Sequence, residues 1–247
     1  MNQGERRLFL IDWLLRERGE SIPVPDDKDG QWRLLRALLN VRPPMDAPEE
    51  FLKAQDEFLR EETRRKGITD VSLFDDGMTV WQGDITTLRC DAIVNAANSG
   101  LTGCYVPNHG CIDNAIHTYA GVELRLECAA FGGNERPGRA RITPAFNLPS
   151  KYVIHTVGPI VRGRVTGRDR FLLGKCYSTS LALAAENGLE SIALCCISTG
   201  EFHFPHEEAA VIAVSTVKEF LGKGSSLRKV VFNVFKDEDR EIYKGLV

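Results

Sequence analysis

The commoner nucleotide-binding fingerprints are missing from this chain. No Gly-Lys-Ser/Thr closes a glycine-rich loop, which excludes a Walker phosphate loop, and no Gly-x-Gly-x-x-Gly turn marks a dinucleotide fold. A sustained basic and aromatic stripe is also lacking, and a formal charge of −3 gives no general attraction to nucleic acid or anionic lipid. No apolar run approaches the roughly 18 residues that a membrane-spanning helix requires. The run Leu8–Phe9–Leu10–Ile11 is flanked by Arg6, Arg7 and Asp12 with no small-residue cleavage site after it, so a secretory leader is not expected. The expected setting is cytoplasmic, with reduced thiols and neither membrane nor nucleic acid as partner. Seven cysteines, an odd number, suit free or metal-bound thiols better than a disulfide framework. Internal repeats and low-complexity stretches are absent, and no surface pattern argues for more than a monomer.

What is present divides the chain unevenly. Residues 1–70 carry apolar side chains at helical spacing among charges. The first such segment is 5–18, with Trp13 and Leu14 on its buried side, and the second is 31–41, after a Pro/Asp/Gly loop at 23–30. A third opens at Asp46, read as an N-cap with Glu49 as its reciprocal partner, and closes in Arg64–Arg65–Lys66 before Gly67. These segments predict a small helical N-terminal extension with a solvated charged face. Over 71–247, short β-branched runs at 78–81, 92–95, 141–145, 152–156, 192–197 and 230–234 alternate with helical stretches at 112–120, 122–131, 168–187, 206–221 and 237–246. The alternation predicts an α/β unit whose sheet is covered on both faces, with ligands beyond the carboxyl ends of the strands.

Three loops at those ends hold residues suited to chemistry. In Gly83–Asp84–Ile85–Thr86, Asp84 either accepts from an exocyclic amine such as that of adenine or caps a helix. In Asn95–Ala96–Ala97–Asn98, the alanines admit a close neighbour and the amides offer partners to a ribose hydroxyl. Cys104, His109 and Cys111 follow as Cys-x4-His-x-Cys, with Pro107, Asn108 and Gly110 shaping the loop between them. Thiolate and imidazole are preferred zinc ligands, and three donors without a fourth leave a position for water or substrate. The alternative is two ordinary buried cysteines and a histidine that caps a turn. Asp113 is either a helix-cap carboxylate or a general base, and His117 reads as a packed histidine. The third loop, Ser198–Thr199–Gly200–Glu201–Phe202–His203–Phe204–Pro205, offers two hydroxyls, a glycine and free backbone N–H groups before a helix, as either a diphosphate cradle or a plain turn. An amine acceptor, a ribose partner, a metal and a phosphate cradle together make an inventory for ADP-ribose.

With these loops in place the sequence resembles a macrodomain. The likeness runs from about Val80 to the C-terminus. It rests on Gly83–Asp84–Ile85–Thr86, Asn95–Ala96–Ala97–Asn98, Ile112–Asp113–Asn114–Ala115–Ile116–His117, His155–Thr156–Val157–Gly158–Pro159 and Ile197–Ser198–Thr199–Gly200, in the family's order. Where many hydrolytic members carry a run of glycines, this chain has Gly103–Cys104–Tyr105–Val106–Pro107–Asn108–His109–Gly110–Cys111. That departure resembles the zinc-dependent microbial branch, often encoded beside a sirtuin-type ADP-ribosyltransferase and lipoate-related proteins, and the branch also has a helical N-terminal extension.

The resemblance implies a three-layer α/β/α macrodomain at 71–247, with a mixed, mostly parallel sheet behind the extension at 1–70. It implies that Asp84 accepts from the adenine amine and the Ile85 backbone touches the same ring. Asn98 would hold the distal ribose, and Ser198, Thr199, Gly200, Glu201 and Phe202 would wrap the diphosphate. Cys104, His109 and Cys111 would bind Zn2+ beside that ribose, with Asp113 as the acidic catalytic residue. Phe232 or Phe235 would pack on adenine. The implied activity is zinc-dependent removal of mono-ADP-ribosyl groups from proteins, with a sirtuin-type transferase and a lipoylated carrier protein as partners. A non-catalytic ADP-ribose reader and a hydrolase of O-acetyl-ADP-ribose are the alternatives.

Overall fold

A computed structural model describes residues 1–247. In chain order the elements are α1 (Gln3–Arg18), α2 (Lys28–Val41), α3 (Glu49–Lys66), β1 (Thr69–Asp70), β2 (Gly77–Gln82), β3 (Leu88–Arg89), β4 (Ala92–Ala97), α4 (Ile112–Ala120), α5 (Val122–Ala129), β5 (Ala140–Pro144), β6 (Tyr152–Val157), α6 (Gly167–Glu186), β7 (Ser191–Leu194), α7 (His206–Leu221), β8 (Lys229–Val234) and α8 (Asp237–Lys244). Six strands form one mixed sheet in the order β2-β8-β7-β4-β6-β5, flanked by helices as expected, and β5 alone runs antiparallel to its neighbour. The central strand β4 reads Ala-Ile-Val-Asn-Ala-Ala, the near-continuous apolar run of a strand covered on both faces. β1 and β3 make only a two-residue parallel pair, too short to leave a hydrophobic pattern.

Most element bounds agree with the sequence to within two residues, and the three larger differences have local causes. Asp46 does not cap α3. The helix opens at Glu49 on Pro48 with no side-chain cap. Ala47 precedes that proline and is steered away from the helical region, and the Asp46 carbonyl accepts from Arg42 at 2.8 Å. α2 starts earlier than its apolar pattern because the Asp27 carboxylate accepts from the Gly30 N–H at 2.7 Å and nucleates the turn. β7 stops at Leu194 rather than at 197, because the buried Tyr177 hydroxyl takes over there. It donates to the Cys195 carbonyl at 3.2 Å and accepts from the Ile197 N–H at 3.1 Å, which diverts the backbone from the ladder.

The buried apolar side chains form two clusters. The larger lies around the sheet and the smaller joins α1, α2 and α3 with Val122 of α5. Trp32 packs against both, its ring 5.6 Å from Phe58 and 5.9 Å from Tyr119. Buried polar groups also cross the boundary. Gln55 accepts from the Val122 N–H at 2.8 Å, and Arg125 donates to the carbonyls of Leu39, Asn40 and Arg42 at the end of α2.

Candidate active site

Strands β4, β6, β7 and β8 all end at one edge of the sheet, and a cleft of about 440 Å³ opens there. Ala96, Gly158, Cys196 and Asn233 form its floor, the loop after β7 lines one side, and His109, Gly110, Cys111 and Ile112 reach it from the other. The volume falls within the roughly 300–1,000 Å³ typical of sites for small molecules.

The loop after β7 is held open by strain and close packing. Ser198 has a φ of 67° and His203 one of 56°, both left-handed. A Cβ added at Gly158 would stand 2.0 Å from Ser198 Oγ, so only glycine lets β6 end so near this loop. His203 N–H bonds the Gly200 carbonyl and Phe204 N–H bonds the Ser198 carbonyl, which closes the loop on itself. The N–H groups of Gly200, Glu201 and Phe202 have no intramolecular partner and are consecutive, the arrangement that holds an anion. Ser198 Oγ is buried without a partner, whereas the Thr199 hydroxyl is already spent on the Cys196 carbonyl at 3.0 Å.

Across the cleft, the Cys104, His109 and Cys111 donor atoms all lie within 4.8 Å of one another, a spacing one cation can bridge. Cys104 Sγ is 3.6 Å from His109 Nδ1, which leaves the other ring nitrogen facing outward, 3.5 Å from a Glu201 carboxylate oxygen of the loop after β7. Burial and the neighbouring Cys104 push the Cys111 thiol up to about 12. His109 and Cys111 line the cleft, whereas Cys104, within 4.8 Å of both, does not. A second group, His117, Cys128 and His155, is fully buried. Both ring nitrogens of His155 are engaged there, by Asn95 and Thr143, so this group is packed core.

Asp113 lies in the first turn of α4, 4% exposed, with its oxygens held by the side-chain amides of Asn95 at 2.8 Å and Asn98 at 3.1 Å. The cap of that helix is Cys111, whose sulfur accepts from the Asn114 N–H, so the cap reading of Asp113 is ruled out. Burial raises Asp113 to about 6 against the pull of the two amides. Burial also keeps His117 neutral, so its 3.6 Å approach to Asp113 is packing rather than an ion pair. A Cβ on Gly103, at φ 83°, would meet the His117 ring at 2.7 Å. The Asn95 side chain is fully buried beneath Asp113 and cannot meet a ribose hydroxyl, contrary to expectation. Asn98 is half-buried. Its amide donates to Gly103 O and Asp113, and its oxygen accepts from the Gly100 N–H.

Asp84 and Ile85 stand at the far edge strand, outside the lining of this cleft. Asp84 does cap a short 3-10 turn, accepting at Oδ1 from Thr86 N and Oγ1. Its other oxygen accepts from Lys66 at 2.7 Å, and Lys66 lies 3.1 Å over the Tyr119 ring. Burial raises the Asp84 carboxyl, but the Lys66 ammonium and Thr86 outweigh it and hold the group below its ordinary value. Of the two aromatic candidates, Phe232 is core at 1% exposure against Tyr243, whereas Phe235 is 77% exposed and lines the cleft. Sequence reading missed Arg36, Asn40 and Lys66 of the extension and the His206–Asp239 pair, 2.6 Å apart at the cleft wall. Nothing in an amphipathic helix distinguishes such side chains from solvated ones.

Known proteins match this arrangement over most of the chain. A relative from Treponema medium named protein-ADP-ribose hydrolase is 54% identical over 260 residues and covers 100% of both chains. One of the same name from Staphylococcus aureus strain MSSA476 is 48% identical, covering 96% of this chain and 92% of its own. The structure of a Trypanosoma brucei macrodomain in complex with ADP-ribose superposes with a TM-score of 0.66 at 30% identity, over 85% of this chain and 94% of that one. The profile of the Macro domain matches residues 94–213. Six strands in this order, a cleft at their carboxyl edge and relatives alike over their whole length place the chain in the Macro domain family.

Proposed function

We propose that this chain is a zinc-dependent hydrolase that binds ADP-ribose and removes single ADP-ribosyl groups from modified proteins. The observation that carries the reading is the convergence of Cys104, His109 and Cys111, the last two of them lining a cleft that is also lined by a loop with three free backbone N–H groups. Zn–S and Zn–N bonds of about 2.3 and 2.1 Å at a tetrahedral angle separate the donors by roughly 3.6 Å, and Cys104 Sγ and His109 Nδ1 are 3.6 Å apart. With all three donors within 4.8 Å of one another, two thiolates and one imidazole are a donor set that suits zinc. When bound, the ion supplies a Lewis acid beside the distal ribose.

The remaining roles belong to the chain itself. Gly200, Glu201 and Phe202 donate N–H groups to the diphosphate, and Phe235 packs on the adenine. An ionised carboxylate has about four acceptor positions. Asp84 spends two on Thr86 and one on Lys66, which leaves one for the adenine amine, with the Ile85 backbone beside it. Asn98 keeps a lone pair on its oxygen for a hydroxyl of the distal ribose. Asp113, fixed by two amides, accepts a proton from the attacking water. Attack on an ADP-ribosyl ester frees ADP-ribose and returns the side-chain carboxylate. Among modified proteins, a lipoylated carrier protein modified by a sirtuin-type transferase is the first substrate to try.

Elemental analysis of the purified protein beside an ADP-ribose release assay tests the reading. One zinc per chain and release that disappears in Cys104→Ala, His109→Ala and Cys111→Ala are expected. Undiminished release from verified metal-free protein sinks the zinc requirement, and tight ADP-ribose binding without release from any ester substrate, O-acetyl-ADP-ribose included, leaves a reader module.

A further inference from the structure

The loop that carries Cys104, His109 and Cys111 does little to fix itself. Residues 105–108 and Gly110 are exposed, and the only backbone bond closed within the loop joins His109 N–H to the Val106 carbonyl at 3.2 Å. Its shape comes instead from outside, chiefly from α2 of the N-terminal extension. Arg36 donates from Nη2 to the His109 carbonyl at 2.9 Å, and from Nε and Nη2 to Asn114 Oδ1 at 3.2 and 2.7 Å. The buried Asn114, oriented in this way, donates its amide to the carbonyls of Val106 at 3.0 Å and Cys104 at 3.4 Å. One turn further along α2, Asn40 Oδ1 accepts from the Asn108 N–H at 2.9 Å while its amide donates to Thr118. Asn108 has a φ of 55°, a strained conformation that this bond secures. Arg125, hydrogen-bonded to the last carbonyls of α2, stacks at 4.2 Å on Tyr105.

The bonds from Arg36, Asn40 and Asn114 grip the backbone of this loop and leave the sulfur and imidazole donors within 4.8 Å of one another. We propose that Arg36 and Asn40 are positioning residues for the metal centre, and that the extension serves to preorganise the three donors before the ion arrives. A loop of exposed residues left to itself would have to be ordered by the ion, which weakens binding, whereas a loop already gripped from α2 is not. The planar guanidinium suits the task because its fork reaches the His109 carbonyl and Asn114 together, and a lysine ammonium lacks that fork. The inference rests on the zinc reading above and adds that zinc affinity is set by residues more than sixty positions away in the chain.

The test is zinc affinity, measured on the full chain by competition with a chromophoric chelator, together with ADP binding by calorimetry. ADP lacks the distal ribose, so its affinity should stay within about threefold in every variant. Arg36→Gln and Asn40→Ala should each weaken zinc about 10–100-fold, the range found when groups that orient metal ligands are removed. Arg36→Lys should fall between them and the unaltered protein. Arg33→Gln, on the exposed side of the same helix, should match the unaltered protein. Zinc affinity within about threefold of unaltered in both Arg36→Gln and Asn40→Ala overturns the proposal while leaving the zinc reading intact, and failure of the unaltered protein to bind zinc overturns both. If Arg36→Gln does not fold, Arg36→Lys decides: an unchanged zinc affinity there overturns the proposal.

Discussion

Asp113 has both carboxylate oxygens occupied, one by Asn95 and the other by Asn98, and almost no exposed surface. Removing it leaves one N–H of each amide without an acceptor, while Gly103 O and the His155 ring keep their contacts with Asn98 and Asn95. Asp113→Ala should therefore lower folding stability by about 1–3 kcal/mol, and lower turnover by about 10²–10⁴-fold if the carboxylate is the proton acceptor. ADP affinity should stay unchanged, so urea unfolding, turnover and calorimetry on one variant separate the structural from the catalytic share. Asp84→Ala should do the reverse. Loss of a charged hydrogen-bond partner is worth about 1.5–3 kcal/mol, so ADP-ribose affinity should fall roughly 10–100-fold while saturated turnover changes little. Unchanged calorimetric affinity would remove Asp84 from the adenine site. The cluster of Cys104, His109 and Cys111 was legible in the sequence because two thiols and an imidazole fall within eight positions, among Pro107, Asn108 and Gly110, which interrupt a helix or strand. Arg36 and Lys66 were not, since the contacts that give them a role span 73 and 18 positions.

Among the elements, the loop after β7 shows where the pattern of apolar residues stops informing. The run at 192–197 is uniformly apolar, so its end as a strand was invisible, and Tyr177 of α6 sets that end from nearly twenty positions away. The free N–H groups at 200–202 depend on this early exit, because a strand continued through 197 would start the loop too late to turn at Ser198. Gly158 at the end of β6 is the other support. Its replacement by alanine forces a Cβ to 2.0 Å from Ser198 Oγ and 2.9 Å from Ile197 Cγ2, neither of which has free space to retreat into. Overpacking of this kind typically costs about 1–3 kcal/mol. Since the displaced segment carries the proposed diphosphate donors, Gly158→Ala should weaken ADP and ADP-ribose about equally, by an order of magnitude or more. A variant that loses stability yet binds ADP normally would show that the donors do not sit in this loop.

The whole molecule is built from two apolar clusters that the sequence separated at about residue 70, and the remaining question is whether they unfold separately. A single core in a segment of about 70 residues rarely supplies more than roughly 3–5 kcal/mol, and the cluster of α1, α2 and α3 has only 12 buried apolar residues, one of them Val122 from α5. Detachment would uncover Trp32 and Tyr119, break the Gln55–Val122 bond and strip Arg125 of its three carbonyl partners. The extension therefore depends on the sheet unit for stability, and the two should open together. Native-state hydrogen exchange tests this directly. The slowest amides of α1, around Leu10 to Leu14, should exchange with an opening free energy within about 1 kcal/mol of those at Ile93 and Val94 in β4. Trp32→Ala leaves a cavity at the junction and should lower both values together, by about 3–5 kcal/mol. Exchange from α1 at a much lower free energy than from β4, with Trp32→Ala affecting only α1, would mean that the extension is a separately folding attachment. Its grip on the loop of Cys104, His109 and Cys111 would then be intermittent.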